Sequence, residues 1–197
     1  MKTDIILSGV GGQGILSIAT ILGSAALAEG LHLKQAEVHG MSQRGGDVQS
    51  NLRLSSSPIA SDLIPLSGAD LIVSLEPMEA LRYLPYLKPE GWLVTNLTPF
   101  VNIDNYPDAA LIDSEMKSAG NVVAFDMDET AKECASPRSS NMVLLGAASP
   151  FIELEPEKIE EGIVRIFGAK GAAIVEANIK AFRSGRERAS RFINPKK

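Results

Sequence analysis

The feature that most restricts the fold is a short apolar run that leads through a glycine-rich turn into an apolar helix. Ile5, Ile6 and Leu7 are consecutive and apolar, which is typical of a strand buried on both faces. The turn Gly9-Val10-Gly11-Gly12-Gln13-Gly14 follows, and residues 15–29 then carry apolar side chains around nearly the whole helix. This order of strand, turn and helix predicts the first unit of an α/β fold. One side of so apolar a helix could be a subunit interface that meets a partner.

Apolar runs alternate with helical patterns along the rest of the chain, and 197 residues suit one domain over residues 1–197. The alternation predicts a mostly parallel sheet covered by helices on both faces. Residues 48–54 alternate in polarity, which predicts a strand with one solvated face or an edge strand. Further predicted strands include residues 35–39, 71–75, 91–96, 110–113 and 121–125, and later helices include residues 78–87, 126–135, 140–149, 156–167 and 172–190.

Composition excludes several classes of protein. The net charge of −5 and a pI near 5.1 argue against a nucleic-acid or anionic-membrane partner. Cys134 is the only cysteine, so the chain cannot ligate an iron–sulfur cluster, and His32 and His39 are too few for a metal cluster. No apolar span of 18 residues or signal-peptide pattern is present, so we expect a cytoplasmic protein that binds no metal.

The glycine-rich turn is the first candidate binding site. Glycines let the backbone approach a ligand closely, and the N–H groups at a helix start favour a phosphate or carboxylate. The candidate residues are Gly9, Gly11, Gly12, Gln13 and Gly14. An NAD site would need an acidic residue at the end of the second strand, and that strand is predicted to end at His39 with Glu37 inside it. A P-loop is excluded because no Gly-Lys-Ser/Thr follows the glycines.

A second candidate site is the loop that follows the second strand. The loop carries a fixed cation, an amide, a hydroxyl and two glycines, at Ser42, Gln43, Arg44, Gly45 and Gly46. The Arg44 guanidinium could pair with a phosphate or carboxylate through two hydrogen bonds. Because loops at the carboxyl ends of neighbouring strands share one crevice, we expect this loop to face the glycine turn. Glu76, at the end of a third strand, could join them or only favour the dipole of the next helix.

Two further polar clusters have simpler interpretations. Asp126, Asp128 and Glu129 are predicted to place negative charge in the first turn of a helix. Residues 139–141 precede an apolar run and resemble a helix N-cap, with Asn141 as a candidate ligand contact.

Three stretches together resemble a known family. They are Gly-Val-Gly-Gly-Gln-Gly-Ile at 9–15, Glu-Val-His-Gly-Met-Ser-Gln-Arg-Gly-Gly at 37–46 and Leu-Glu-Pro at 75–77. The chain is similar, to about residue 185, to the gamma domain of 2-oxoacid:ferredoxin oxidoreductases, and the second stretch looks most like the beta subunit of the indolepyruvate-specific branch.

The resemblance implies a three-layer α/β/α domain that is one subunit of an enzyme and is not catalytic alone. Such enzymes oxidatively decarboxylate 2-oxoacids, here indolepyruvate or another aryl pyruvate, to acyl-CoA and reduce ferredoxin. In the family, thiamine diphosphate and iron–sulfur clusters sit on the large alpha subunit, which implies that this chain binds neither alone. Coenzyme A would lie at or near the interface, held in part by the glycine turn and Arg44. The resemblance assigns no catalytic residue.

Two other functions stay open from the sequence. A stand-alone nucleotide-binding or regulatory module would bind its nucleotide tightly without a partner. An NAD-dependent dehydrogenase would bind NAD or NADH tightly. The isolated chain could also form a homodimer through surfaces meant for the large subunit.

Overall fold

One six-stranded sheet organises the protein, whose computed structural model describes residues 1–39, 46–101 and 103–193. The strands are β1 (Lys2–Val10), β2 (His32–His39), β3 (Asp47–Ser55), β4 (Ala69–Ser74), β5 (Leu87–Asn96) and β6 (Asn121–Phe125). Their order is β2-β3-β1-β4-β5-β6. Strands β1, β4, β5 and β6 are parallel, whereas β3 is antiparallel to both of its neighbours, β1 and β2. The prediction of a mostly parallel sheet is confirmed.

Helices cover both faces of this sheet. They are α1 (Ile15–Ala28), α2 (Pro77–Arg82), α3 (Ala109–Ser118), α4 (Met127–Cys134), α5 (Ser140–Ala148), α6 (Pro156–Phe167) and α7 (Ala172–Ile193). Side chains of a strand alternate between faces, so Ile5 and Leu7 pack under α1 and α4–α7 while Ile6 packs under α2 and α3. The three-layer α/β/α prediction is therefore confirmed, with one thick and one thin helical layer.

The chain changes direction across the sheet at β1. Helix α1 leads outward to β2, β3 returns to pair with β1, and β4 then pairs with the other side of β1. The strand predicted at residues 48–54 is therefore an interior strand, and the alternative of an edge strand is wrong. Strand β2 forms the edge of the sheet instead. In an open α/β sheet, such a reversal leaves a crevice at the carboxyl ends of the two diverging strands.

Local signals explain where several helices begin and end. Gly30 has a φ of 73° just after α1, and the N–H groups of Gly30 and Leu31 donate to Leu27 and Ala26, which closes the helix in a Schellman motif. The strand predicted at residues 110–113 is wrong, because these residues lie in α3. The Asp108 carboxylate accepts from the Ala110 N–H at 3.1 Å and caps that helix.

A segment without regular structure, residues 56–68, joins β3 to β4. Arg53 in β3 donates to the carbonyls of Ser61 (3.0 Å) and Leu63 (2.9 Å), and its guanidinium also contacts the buried Asp4 carboxylate at 2.7 and 3.0 Å. Side chains of the neighbouring strands thus fix the path of this segment. Among residues 1–39, 46–101 and 103–193, no helix is both long and apolar enough to cross a membrane.

Candidate functional site

A cleft of about 540 Å³ lies at the carboxyl ends of the parallel strands. We call it the carboxyl-end cleft. It is lined by residues that follow β1, β4, β5 and β6 and by the start of α5, namely Gly12, Gln13, Leu75, Thr98, Pro99, Phe100, Asp128, Pro137, Arg138, Ser140 and Asn141. Residues after four strands that are distant in sequence therefore line one cleft. It lies at the carboxyl ends of the strands, where the change of chain direction at β1 predicts a crevice.

The glycine turn forms one wall of the cleft, and Gln13 fixes its shape. The Gln13 Oε1 atom accepts from the Val10 N–H at 2.9 Å, and its Nε2 atom donates to the Leu75 carbonyl at 3.3 Å. Gln13 thus ties β1 to the residue that follows β4. Gly12 and Gly14 have φ of 102° and 81°, a region that residues with a side chain rarely adopt. The turn therefore depends on glycine at these two positions.

The start of α1 leaves backbone donors open. Gly14 caps this helix without a side-chain hydrogen bond, and no described residue accepts from the N–H groups of Ile15 or Leu16. These residues border a cavity of about 290 Å³ that also touches Gly11, Gly12 and Val48. Open donors at a helix start attract a phosphate or carboxylate. The geometry thus suits the anion site that the sequence predicts.

The second predicted loop meets the glycine turn at Gly46. The Gly11 N–H donates to the Gly46 carbonyl at 2.8 Å, which brings the end of that loop against the turn. Ser42, Gln43, Arg44 and Gly45 lie outside the described residues, and their ligand roles stay predictions.

Asn141 joins the start of α5 to the glycine turn. Its Nδ2 atom donates to the Gly14 carbonyl at 3.2 Å. A Cβ atom on Gly14 would lie 2.6 Å from the same Nδ2 atom, which is closer than real Cβ contacts. The sequence singled out Asn141 as a candidate ligand contact, and its place in the lining agrees with that interpretation. Ser139 is the N-cap residue of α5, as the sequence predicts for residues 139–141, but its side chain makes no capping hydrogen bond.

Asp128 carries a negative charge into the cleft and is held by neutral donors. Its carboxylate accepts from the Ser140 hydroxyl at 2.6 Å and from the Asn96 Nδ2 atom at 2.9 Å. Asn96 is buried at the end of β5, and its Oδ1 atom accepts from the Met127 N–H at 2.9 Å. As predicted, Asp128 lies in the first turn of α4, and Asp126 caps that helix through the Glu129 N–H. The contacts of Asp128 with Asn96 in β5 and Ser140 in α5 were not predicted from the sequence.

Arg138 brings an unpaired positive charge to the same cleft. Its side chain is exposed and makes no hydrogen bond or ion pair with any residue that the structure describes. Sequence reasoning passed over Arg138, although it directly precedes the polar run at residues 139–141 that was singled out. A free guanidinium can bind a phosphate or carboxylate through two hydrogen bonds.

The Glu76 carboxylate is buried and accepts hydrogen bonds from neighbouring residues. Only 1% of its surface is exposed, its Oε2 atom accepts from the Glu79 N–H at 2.8 Å to cap α2, and its Oε1 atom accepts from the Tyr106 hydroxyl. Burial, together with the bond to Glu76, raises the pKa of Tyr106. Glu76 is not among the residues that line the carboxyl-end cleft. These contacts agree with the alternative that Glu76 favours the start of the next helix, which it caps.

Two carboxylates, the half-buried Asp47 and the buried Glu79, lie beside the start of β3. Tyr83 donates its hydroxyl to Asp47 Oδ2 at 3.1 Å, and burial followed by the charge of Asp47 raises the pKa of that hydroxyl. Glu79 is 3% exposed and binds Arg82 Nε at 2.7 Å. Burial also raises the pKa of Glu79; the Asp47 carboxylate reinforces that shift, and the Arg82 hydrogen bond opposes it.

The structure bears on two expectations about cofactors. Glu37 lies inside β2 and accepts from the amide of Gln35, so it is not at the strand end where an NAD ribose would need it. Within the described ranges, no group of three or more His, Cys, Asp or Glu residues could hold a metal ion.

The family model for pyruvate ferredoxin/flavodoxin oxidoreductase matches residues 4–188, nearly the whole chain. The chain belongs to this family. The indolepyruvate oxidoreductase subunit IorB of Pyrococcus horikoshii is 37% identical over 97% of this chain and 98% of its own length. The 2-oxoglutarate synthase subunit KorC of Archaeoglobus fulgidus is 28% identical over 99% of this chain and 92% of its own length.

This chain is also similar to a solved structure, the 2-oxoglutarate:ferredoxin oxidoreductase of Magnetococcus marinus with 2-oxoglutarate, coenzyme A and succinyl-CoA bound. The two superpose with a TM-score of 0.76 at 26% identity, over 96% of this chain. This chain corresponds to 31% of that polypeptide. In that enzyme, a fold like this one is therefore part of a longer chain.

Proposed function

We propose that this chain is a subunit of an indolepyruvate or aryl-pyruvate:ferredoxin oxidoreductase, which oxidatively decarboxylates its substrate to acyl-CoA. The observation that carries the proposal is the 37% identity to an indolepyruvate oxidoreductase subunit over almost the full length of both chains. Identity to the 2-oxoglutarate synthase subunit is lower, at 28%. The difference favours the aryl-pyruvate branch over the 2-oxoglutarate branch.

The catalytic cofactors would belong to a large partner subunit. An iron–sulfur cluster needs several thiolates, and this chain has one cysteine. We assign thiamine diphosphate and the clusters to the partner, and ferredoxin would receive its electrons through the complex. The complex would be cytoplasmic. A homodimer of the isolated chain stays a prediction.

Coenzyme A would bind where this chain offers donors and positive charge. Within the part of the chain that the structure describes, the N–H groups of Ile15 and Leu16 have no acceptor, and the Arg138 side chain beside Asn141 has no ion-pair or hydrogen-bond partner. Arg44, Gln43 and Ser42 would complete the site from the second loop. The side of the cleft near Asp128 is less suited to an anion because its carboxylate is held by neutral donors alone. We therefore place the anionic groups near α1 and Arg138 and the uncharged part near Asp128.

Reconstitution with the large subunit tests this function. The two chains would be co-expressed, purified together and assayed for ferredoxin reduction with indolepyruvate, phenylpyruvate, pyruvate and 2-oxoglutarate, each with and without coenzyme A. We expect the highest kcat/KM with the aryl pyruvates and full turnover only with coenzyme A. A complex that oxidises 2-oxoglutarate best would contradict the assigned substrate.

The two remaining alternatives predict different binding behaviour. Calorimetric titration of the isolated chain should show no tight binding of NAD or NADH. Tight binding of either would favour a dehydrogenase, and tight binding of another nucleotide, with no assembly with the large subunit, would favour a stand-alone module.

A further inference from the structure

An apolar groove of about 430 Å³ lies between α3 and the segment that follows β5. We call it the α3 groove. Its apolar lining consists of Pro77, Leu97, Pro99, Val101, Ile112 and Met116. Ile112 and Met116 belong to the thin helical layer, so the groove lies on that face of the sheet. Pro99 also lines the carboxyl-end cleft, which makes the groove a side extension of that cleft.

Large apolar side chains beside the groove are exposed to solvent. Leu97 is 45% exposed, Phe100 46%, Val101 66% and Ile103 41%, and all four lie within seven residues of the chain. Tyr106 adds no free polar group to the lining, because its hydroxyl donates to the buried Glu76 carboxylate. Single exposed apolar residues are ordinary on a protein surface, whereas a cluster of them beside a cleft marks an interaction surface.

The edge of the α3 groove carries negative charge. Asp104 and Asp113 are both part of its lining. Asp113 binds the Lys117 ammonium, whereas Asp104 makes no hydrogen bond or ion pair with any residue that the structure describes. An apolar groove with an open carboxylate at its edge complements an apolar side chain that has a lysine or arginine next to it.

The surroundings of the groove favour a protein partner as its occupant. Under the proposed function, the large subunit must approach the carboxyl-end cleft, and the groove adjoins that cleft at Pro99. In the Magnetococcus marinus enzyme a fold like this one makes up 31% of a longer polypeptide, so the peptide chain itself links it to the rest. A separate subunit has no such link and must be held by its surface alone.

We infer that the α3 groove is the docking surface for the large subunit, which inserts an apolar side chain between Leu97 and Val101 and places a lysine or arginine beside Asp104. The inference rests on the proposed function and names the surface through which that complex assembles. Docking here would also cover the side of the carboxyl-end cleft at Pro99 and Phe100, so assembly and closure of the cleft would occur together.

The test measures the affinity of the purified chain for the large subunit by calorimetric titration at several salt concentrations. Val101→Asp removes an apolar contact and adds a charge near Asp104, so we expect the Kd to rise about thirtyfold or more, the loss of one interface hot spot. Asp104→Asn should raise the Kd about fivefold at low salt and less at high salt, because it removes one exposed ion pair. Val164→Asp, at a 47% exposed position on α6 across the sheet, should leave the Kd unchanged.

Thermal unfolding of the same variants controls for misfolding. Val101 and Asp104 are exposed, so both variants should keep the wild-type Tm, and Asp104→Asn keeps the inference testable even if Val101→Asp lowers it. An unchanged Kd for both variants would overturn the docking surface and leave the proposed function standing. A wild-type chain that does not bind the large subunit would instead contradict the proposed function.

Sedimentation of the isolated chain distinguishes the large subunit from a second copy as the occupant. We expect Val101→Asp to leave the oligomeric state of the isolated chain unchanged. A wild-type dimer that Val101→Asp dissociates, together with an unchanged Kd for the large subunit, would assign the groove to a second copy and overturn the inference.

Discussion

Helices α5 and α7 approach each other so closely that only glycine fits at two positions. A Cβ atom on Gly185 would lie 2.0 Å from the Val143 carbonyl oxygen, and one on Gly146 would lie 1.9 Å from the Phe182 carbonyl oxygen. Both obstacles are backbone atoms inside helices, so no side chain can turn away to relieve them. Gly185→Ala should therefore force the helices apart.

The loss of stability in Gly185→Ala depends on how far α5 and α7 must move apart to accommodate the new Cβ atom. Real Cβ atoms essentially never come within 3.0 Å of such an atom, so the helices must separate by about 1 Å. A gap of that size forfeits a quarter to a half of each dispersion contact across the interface. Most of α5 is buried, so we expect a loss of about 3 kcal/mol in the free energy of unfolding, reduced by about 1 kcal/mol because alanine favours the helix. The net change of about 2 kcal/mol corresponds to a fall in Tm of about 4–8 °C.

Thermal and urea unfolding of matched glycine variants would measure this effect. In Gly162→Ala the new Cβ would lie 3.0 Å from the Ile21 carbonyl oxygen, so we expect a smaller loss than for Gly185→Ala. Gly168 has an ordinary helical conformation and no atom near its Cβ position, so Gly168→Ala should leave the Tm unchanged or slightly raised. A Gly185→Ala protein as stable as Gly168→Ala would refute the close approach of α5 and α7.

Three further changes test other parts of the structure. Arg53→Ala leaves the buried Asp4 carboxylate with the exposed Lys2 ammonium, at 3.3 Å, as its remaining ion-pair partner among the described residues, and denaturant titration should show a loss of about 3 kcal/mol in the free energy of unfolding; a loss below about 1 kcal/mol would contradict it. The raised pKa of Glu79 means that the folded protein holds this proton more tightly than the unfolded chain does. The free energy of unfolding should therefore fall as the pH rises from about 4.5 through the raised pKa, and Glu79→Gln should remove that fall. Gln13→Ala removes the bonds to Val10 and Leu75, so unfolding should cost about 1–2 kcal/mol less and the KM for coenzyme A should rise; an unchanged KM would separate the turn from binding.

Local patterns were enough to predict the first part of the fold. The apolar run, the glycine turn and the apolar helix are consecutive, and each has a physical signature within a few residues. Residues 110–113 were misassigned because Leu111 and Ile112 are adjacent and apolar. In the structure Leu111 is 55% exposed, while Ile112 and Met116 are buried one helical turn apart. The helical spacing and the Asp108 cap were the better evidence.

One contact of the site was predictable from the order of the strands. The loops that carry Gly11 and Gly46 were expected to face each other because they follow β1 and β2. In the structure β3 lies between these strands, and the two glycines meet because Gly46 directly precedes β3, which pairs with β1. Arg138 stands out because its side chain has no hydrogen-bond or ion-pair partner among the described residues, and this property depends on contacts between distant elements. Arg183, for example, is paired with Glu160 across two helices, and nothing in the sequence distinguishes it from Arg138. Site residues of this kind require the three-dimensional arrangement.

The polar anchoring of residues 56–68 gives this protein a convenient place for a reporter group. This segment starts at the end of β3, which pairs with the beginning of β1 because the two strands are antiparallel. It therefore lies at the amino ends of the parallel strands, away from the carboxyl-end cleft. Its path is set in part by Arg53 and other side chains of the neighbouring strands, which bind its backbone. A fluorophore attached through Ser57→Cys, at an exposed position, should therefore report assembly with the large subunit while ferredoxin reduction continues at its normal rate.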